Sequence, residues 1–330
     1  MQNKRFVITG GSGFLGQVLI KKLSYLYPKN SIHNLDINHP FDLTYENLFS
    51  HEIDLESEDN VQSFEFTKND IVYHLAANIF TEKTPSRSNR KKWFENLNFF
   101  GTKNLLSTMT RDGAKNIAFV STDMVYGLPK SNPININHSL SPNGPYGQSK
   151  KDAERIINDF GSRKDHRSII FRPRVIMGPG RHGLFDKLFF LIKNHLPVPL
   201  IGSGQNRYQF ISVYDCADAL IRFNEKEHYS GIYNLGSINP PKVKELLSFI
   251  IEHANSHSIL LPTWGKGSKI ILGILDQLNL TLLYPEQYLL ADKDYVLDIG
   301  SLREELGFDP EFNDKDILLE AYKNYCTLSD

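Results

Sequence analysis

Tyr146 and Lys150 lie four residues apart in the run Tyr146-Gly147-Gln148-Ser149-Lys150, a spacing that on a helix puts a phenol and an ammonium on one face. A phenol with an ordinary pKa of about 10 is a poor base at neutral pH, and a neighbouring ammonium favours its ionised form. Such a pair suits the removal of a proton from a hydroxyl. Spacing alone is weak support, because Tyr25 and Lys29, and Tyr126 and Lys130, share it. Each of those spans a proline, Pro28 or Pro129, which argues against a helical interior. Order along the chain adds more: Ser121-Thr122 ends the apolar run Ile117-Ala118-Phe119-Val120, at the carboxyl edge where open α/β sheets bind ligands. Thr122 can hold a substrate hydroxyl in line while Tyr146 acts as general base with Lys150 beside it.

Oxidising an alcohol also requires a hydride acceptor, and a loop suited to one stands at the start of the chain. Thr9-Gly10-Gly11-Ser12-Gly13-Phe14-Leu15-Gly16 follows the apolar run Phe6-Val7-Ile8 and opens a helix-length segment, so Gly10, Gly13 and Gly16 form a GxxGxxG frame. Glycines there permit a tight turn, close approach of the backbone to a pyrophosphate and close helix–strand packing. Asp36 ends the next strand at the expected separation of about 20 residues. A carboxylate at that point accepts hydrogen bonds from the adenosine ribose and repels a 2′-phosphate, and no arginine adjoins it. The reading is NAD rather than NADP. Its positively charged nicotinamide would further favour the Tyr146 phenolate, and Lys150 can also grip the nicotinamide ribose.

These residues need a scaffold of alternating strands and helices. Phe6-Val7-Ile8, Ile71-Val72-Tyr73, Ile117 to Val120 and Ser168 to Phe171 are short apolar runs that suit strands buried on both faces. Helix-length segments lie between them, at 14–26, 93–110 and 146–160. The fold class expected is therefore α/β, a Rossmann-like doubly wound parallel sheet with a smaller, mostly α C-terminal lobe. From about Val175 the texture turns to loops such as Gly178-Pro179-Gly180 and Leu196-Pro197-Val198-Pro199, whereas Ile232 to Leu235 reads as a strand returning to the sheet. The expected division is a cofactor domain over 1–174, with 207–235 returning to it, and a substrate lobe over 175–206 and 236–330.

A net charge of −1 gives no bulk field for nucleic acid or a membrane, so a small molecule is the expected partner. The basic stretch Arg87 to Lys92 reads as a solvated loop and helix start. Cys216 and Cys326 make neither a disulfide framework nor a ligand spacing, so a reducing compartment and no structural metal are expected. Met1 to Arg5 leads straight into a strand-like run, without a signal-peptide core, and no apolar stretch is long enough to span a bilayer. The expected location is cytoplasmic.

In this order the residues resemble the extended short-chain dehydrogenase/reductase family, the NAD-dependent epimerase/dehydratase group that includes nucleotide-sugar 4-epimerases. The resemblance also covers Ile53-Asp54-Leu55, His74-Leu75-Ala76-Ala77, Asn98 with Gly101-Thr102, Ser121 to Gly127, Phe171-Arg172-Pro173 and Gly178-Pro179-Gly180. It continues through Gly202-Ser203-Gly204, Phe210 to Asp215, Tyr233 to Gly236, Asp298 and Leu306 to Pro310. It implies that NAD is held by Gly10, Gly13, Phe14, Leu15, Gly16, Asp36, Asp54, Leu55, Leu75, Ala76, Ala77, Asn98, Ser121, Tyr146, Lys150, Pro173 and Val175. It places Thr122, Asp123, Met124, Tyr146, Arg181 and Tyr208 against the substrate. It further implies a homodimer through the helices at 93–110 and 146–160.

The same resemblance bears on the reaction. Sugar-nucleotide dehydratases carry a glutamate base where Met124 stands, and Met124 cannot take a proton. Val175 replaces a common diphosphate-binding asparagine and Tyr208 an arginine; Arg207 and Arg181 are the candidates to compensate. A nucleotide-sugar epimerase working through a transient 4-keto intermediate is the favoured expectation. An NAD-dependent alcohol or sterol-type dehydrogenase, a sugar-nucleotide reductase and an NAD-binding regulatory protein stay open; regulatory descendants can lose the tyrosine and lysine kept here.

Overall fold

The computed structural model describes residues 4–38, 44–81, 83–180, 184–225, 228–281 and 283–328. Its strands are β1 (Arg5–Thr9), β2 (Ile32–Asp36), β3 (Leu48–Glu52), β4 (Asp70–His74), β5 (Asn116–Val120), β6 (Arg167–Pro173), β7 (Val175–Met177), β8 (Val198–Ile201), β9 (Phe210–Ser212), β10 (Gly231–Leu235) and β11 (Leu260–Thr263). The helices are α1 (Phe14–Leu26), α2 (Glu58–Gln62), α3 (Arg87–Glu95), α4 (Thr102–Asp112), α5 (Pro145–Gly161), α6 (Leu184–Lys193), α7 (Val213–Glu225), α8 (Val243–His253), α9 (Gly265–Gln277), α10 (Pro285–Tyr288), α11 (Gly300–Leu306) and α12 (Asp314–Leu328).

Seven strands form one parallel sheet in the order β3-β2-β1-β4-β5-β6-β10. Alternation along each strand explains why both faces are covered. Phe6, Ile8, Ile71, Tyr73, Ala118, Val120, Ile169 and Phe171 share one core with α1, α7 and α11, while Val7, Val72, Ile117, Phe119 and Ile170 share the other with α2, α4 and α5. The chain runs outward from β1 to β2 on one side and resumes at β4 on the other. This reversal makes a crevice at the carboxyl ends of β1 and β4, the usual ligand position in such sheets.

The expected strand at Ile232 to Leu235 is β10, and it pairs with β6, so the sheet is completed after an excursion into the C-terminal region. That region has its own core, built from Met177, Phe189, Ile192, Leu200, Phe210, Leu246 and Leu318 among others. It is mostly helical but holds two small parallel pairs, β7 with β9 and β8 with β11; β8 overlaps the Leu196 to Pro199 stretch read as a loop, and β9, in the segment expected to return to the large sheet, pairs with β7 instead. The helical stretch expected at 93–110 begins earlier, at Arg87, and contains a π-helical turn over Asn96–Gly101. Such turns displace one residue out of the regular ladder; here the turn carries Asn98, which is buried and tied to two other elements.

Candidate active site

One cavity of about 1090 Å³ opens at the crevice. Gly10, Gly13, Phe14, Leu15, Gly16 and Asp36 line one end, with Asp54, Leu55, Leu75, Ala76 and Ala77 beside them. Ser121, Thr122, Asp123, Met124, Tyr146, Lys150, Pro173, Val175 and Tyr208 line its middle and far reaches. Asn98 stands behind this wall. Its amide accepts from Asn78 N at 2.7 Å and donates to Asn78 O and Ser149 Oγ at 3.0 Å each, so it ties the segment after β4 to α5 rather than facing the cavity. Arg181 lies outside the described residues.

The glycine loop fits a dinucleotide for steric reasons. Gly10 has φ +73°, and a Cβ there would sit 2.6 Å from Ala76 N; one on Gly16 would overlap Gly10 O. The backbone therefore lies close on both sides of the turn. Helix α1 starts with Gly13 as its N-cap, with no side-chain cap and no acid in its first turn. No side chain of the helix's own first turn competes for its positive end, the arrangement that suits an anion there. Asp36 is fixed at the end of β2 by Ser12 N on one oxygen and Asn38 N on the other, both at 3.0 Å. Beneath the loop His74 bridges Thr9 Oγ1 at 2.7 Å and Thr102 Oγ1 at 2.8 Å. Burial, aided by the Lys150 charge, lowers its pKa to about 3, which keeps the ring neutral.

Further along the cavity, Pro145 opens α5 and puts Tyr146 and Lys150 one turn apart. Phe94 and Phe80 pack against the Tyr146 ring at 5.3 and 5.5 Å between centroids. Thr122 caps the short turn Asp123–Val125, accepting from Met124 N at 3.2 Å. Lys150 is buried with its Nζ 4.2 Å from the centre of the Phe119 ring. Desolvation lowers its pKa to about 7, against an upward pull from Glu154. The ammonium thus lies in a site that favours acquiring an oxygen partner.

This placement has a consequence for stability without ligand. Folded Lys150 loses its proton near pH 7, whereas unfolded lysine keeps it to its ordinary 10.5, so between those values the unfolded chain binds more protons. Stability contributed by this residue accordingly rises with pH across that window. Lys150→Met is expected to flatten the rise. Chemical denaturation of both proteins at pH 7 and about pH 9 reads it, and equal pH dependence in the two would contradict a buried, depressed lysine.

Two site residues were not foreseen from sequence. Arg174 is buried in the cavity wall, pairs with Asp123 at 2.5 Å, and lies between the Tyr208 and Tyr295 rings at 4.7 and 4.4 Å. Its Nε has no hydrogen-bond partner among the described residues. Glu286, from α10, accepts from Tyr146 N and Gly147 N at 3.0 Å each and so caps the helix that carries Tyr146. Burial raises its pKa to about 7, the two N–H donors opposing that shift. The compensation expected of Arg207 does not occur in this cavity. Its guanidinium donates to Pro240 O at 2.7 Å, beside a separate, smaller pocket.

Behind the site lies a buried polar network. Arg172 donates to Glu154 through Nε at 2.9 Å and Nη2 at 2.6 Å, and to Tyr126 through Nη1 at 2.9 Å. Ser121 donates to Glu154 at 2.5 Å, and Tyr126 to Asn234 at 2.7 Å. The network joins the segment after β5 to α5, β6 and β10, through the residue next to Thr122 and the helix that carries Lys150.

Known proteins resemble this chain in sequence and in fold. The chain is 28% identical over 322 residues to the uncharacterized protein y4nG of Sinorhizobium fredii, covering 98% of this chain and 78% of that one. It is 28% identical over 278 residues to the dTDP-D-glucose 4,6-dehydratase of Mus musculus, covering 77% and 75%. Its fold is similar to that of the UDP-N-acetylglucosamine 4-epimerase from Methanobrevibacter ruminantium, solved in complex with UDP-N-acetylmuramic acid, with a TM-score of 0.76, 22% identity and coverage of 99% and 100%. Residues 6–236, most of the chain, match the sequence model of one family. The chain belongs to the NAD dependent epimerase/dehydratase family, and NAD is its cofactor.

Proposed function

We propose that this chain inverts a secondary alcohol, oxidising it to a ketone and reducing that ketone from the opposite face, with a nucleotide sugar as substrate and C4 as the carbon inverted. When bound along the glycine loop, NAD supplies a two-electron acceptor that can return what it takes. Thr122 holds the substrate hydroxyl. Tyr146 takes its proton, with Lys150 favouring the phenolate, and later gives a proton back to the new alkoxide. The observation that carries epimerisation over dehydration is that, among the described residues beside Thr122, no acid–base pair is available for elimination. Met124 lines the cavity where dehydratases have a glutamate, and Asp123 is bound up with Arg174. Inversion asks only that the ketone turn in the cavity, and it needs no base besides Tyr146.

A second reading is a dehydrogenase for an apolar alcohol. Leu188, Leu191, Leu200, Leu246, Leu247 and Leu272 line the far chamber, and of its cations Arg174 is already paired with Asp123. Incubation with UDP-, dTDP- and GDP-sugars separates the readings. Interconversion of epimers without steady growth of NADH absorbance supports the first, and stoichiometric NADH supports the second. A 4-keto-6-deoxy product would overturn the argument from Met124.

The residues at the cofactor end set a further expectation. Asp36 is held so that a 2′-phosphate would meet a carboxylate with no adjacent cation, and NAD should bind at least about tenfold more tightly than NADP, a difference of about 1.4 kcal/mol. Calorimetric titration with both cofactors measures it. Equal affinities would remove Asp36 from that role.

A further inference from the structure

Glycines flank Tyr146 at 144 and 147, and both are there to make room. Gly144, the N-cap of α5, has φ −169°, extended backbone open to any residue, yet a Cβ on it would overlap the Glu286 carboxylate. One on Gly147 would lie 2.6 Å from Met124 O. The first turn of α5 is therefore in close contact both with the turn that follows Thr122 and with a carboxylate from the C-terminal region.

That carboxylate does for α5 what the helix's own sequence does not. Gly144 has no side chain to cap with, the first turn holds no acid, and Pro145 has no N–H, so the helical donors without an intrahelical acceptor are Tyr146 N and Gly147 N. Glu286 accepts one on each oxygen at 3.0 Å, and Gln148 N closes the first ladder bond onto Gly144 O at 3.1 Å. Tyr146, Gly147 and Glu286 are all buried, so water does not stand in for the carboxylate. The same short helix also touches the Tyr146 ring and the cavity. Tyr284, the N-cap of α10, stacks on Phe80 at 4.4 Å between centroids, and Phe80 packs on Tyr146. Gln287, next to Glu286, lines the cavity, as does Leu290, and Lys269 on α9 donates to Leu289 O at 2.9 Å.

We propose that Glu286 is a positioning residue for the proton transfer: α10 holds the first turn of α5 through this one carboxylate, so a wall of the cavity also fixes where the Tyr146 phenol stands relative to Thr122. Glu286 acts only through the backbone of α5. The inference rests on Tyr146 as the proton acceptor proposed above, and a small displacement of such a group is enough to slow the step it performs.

The test uses Glu286→Ala, which removes the contact, Glu286→Gln, which keeps the size and one acceptor oxygen, and Gly144→Asp/Glu286→Ala. The double variant returns a carboxylate to the N-cap of α5 itself, in the space that the alanine vacates. Amide hydrogen exchange at Tyr146 and Gly147, which needs no substrate, should be faster in Glu286→Ala and slow again in the double variant. In Glu286→Ala kcat should fall by about 10- to 100-fold, with KM and NAD affinity each within about twofold. Glu286→Gln, which carries the test if the alanine variant fails to fold, should lose about tenfold. The double variant should stay at least about tenfold low in kcat, because the cap is back but its tie to α10 is not. Recovery of kcat there together with amide protection would make Glu286 a cap and nothing more, and overturns the proposal. So does unchanged exchange, or a kcat within about twofold of wild type in both single variants. Tyr146→Phe separates the two levels of the argument: if it keeps its rate, the role of Tyr146 fails and the proposal with it, whereas a rate lost in Tyr146→Phe and kept in Glu286→Ala overturns the proposal alone.

Discussion

Tyr146→Phe is expected to lower kcat by ~10²–10⁴-fold while leaving NAD affinity within about twofold, the range lost when a positioned general acid–base group is removed. The substitution deletes one oxygen and little else. The ring still packs against Phe80 and Phe94. The cap on α5 is kept because Glu286 binds the backbone N–H groups of residues 146 and 147, not the phenol. Lys150 stays in place over Phe119. Steady-state turnover on any accepted alcohol, with parallel NAD titration, measures both quantities. Retention of more than about a tenth of the rate would exclude general base catalysis by this group, and a parallel loss of NAD affinity would assign it to binding.

The residues that periodicity and local spacing govern were legible in the sequence. β1, β4, β5 and β6 are short apolar runs, and the sheet needs them apolar on both faces. The glycine loop, Asp36, Thr122, Tyr146 and Lys150 are fixed by elements that begin or end at those positions, so finding the elements placed the residues. Contacts between distant segments were not legible. Glu286 stands 140 residues beyond Tyr146 and belongs to a four-residue helix with no periodicity to announce it. Arg174 directly follows the Phe171-Arg172-Pro173 run, but its pairing with Asp123 depends on how β6 passes the turn after β5. The π turn likewise brings Asn98 and Gly101 against distant segments, Ser149 on α5 and Leu55, that local spacing does not announce.

Arg207 and Tyr208 are neighbours in an extended segment, bridged to Lys242 and Tyr295 respectively. Adjacent side chains in such a segment point to opposite sides. With Tyr208 turned to the cavity and lying against Arg174, Arg207 must face away. A single extended stretch could supply one of the two to the substrate, and the consequence is a chamber with few cations.

Glu154→Gln is expected to cost about 3–5 kcal/mol of stability, as breaking a buried ion pair from one side does, and to cost more than Arg172→Met. Both side chains are buried, so neither stranded charge can reach water. The two variants strand different things. Removing the Glu154 charge leaves the buried Arg172 guanidinium without its carboxylate, takes away the anion that favours a charged Lys150, and deprives Ser121 of its anionic acceptor. Removing Arg172 leaves a carboxylate that still has Lys150 and Ser121 nearby. Glu154→Gln should also push the Lys150 pKa below its present value of about 7, since Glu154 is what raises it. The double variant Glu154→Gln/Arg172→Met should recover much of the loss, because no guanidinium is left unpaired. Urea unfolding of the three variants gives the cycle, provided each transition remains two-state. Additive single losses, or a greater loss in Arg172→Met, would show that Glu154 does not balance both cations and that Lys150 depends on something other than this network.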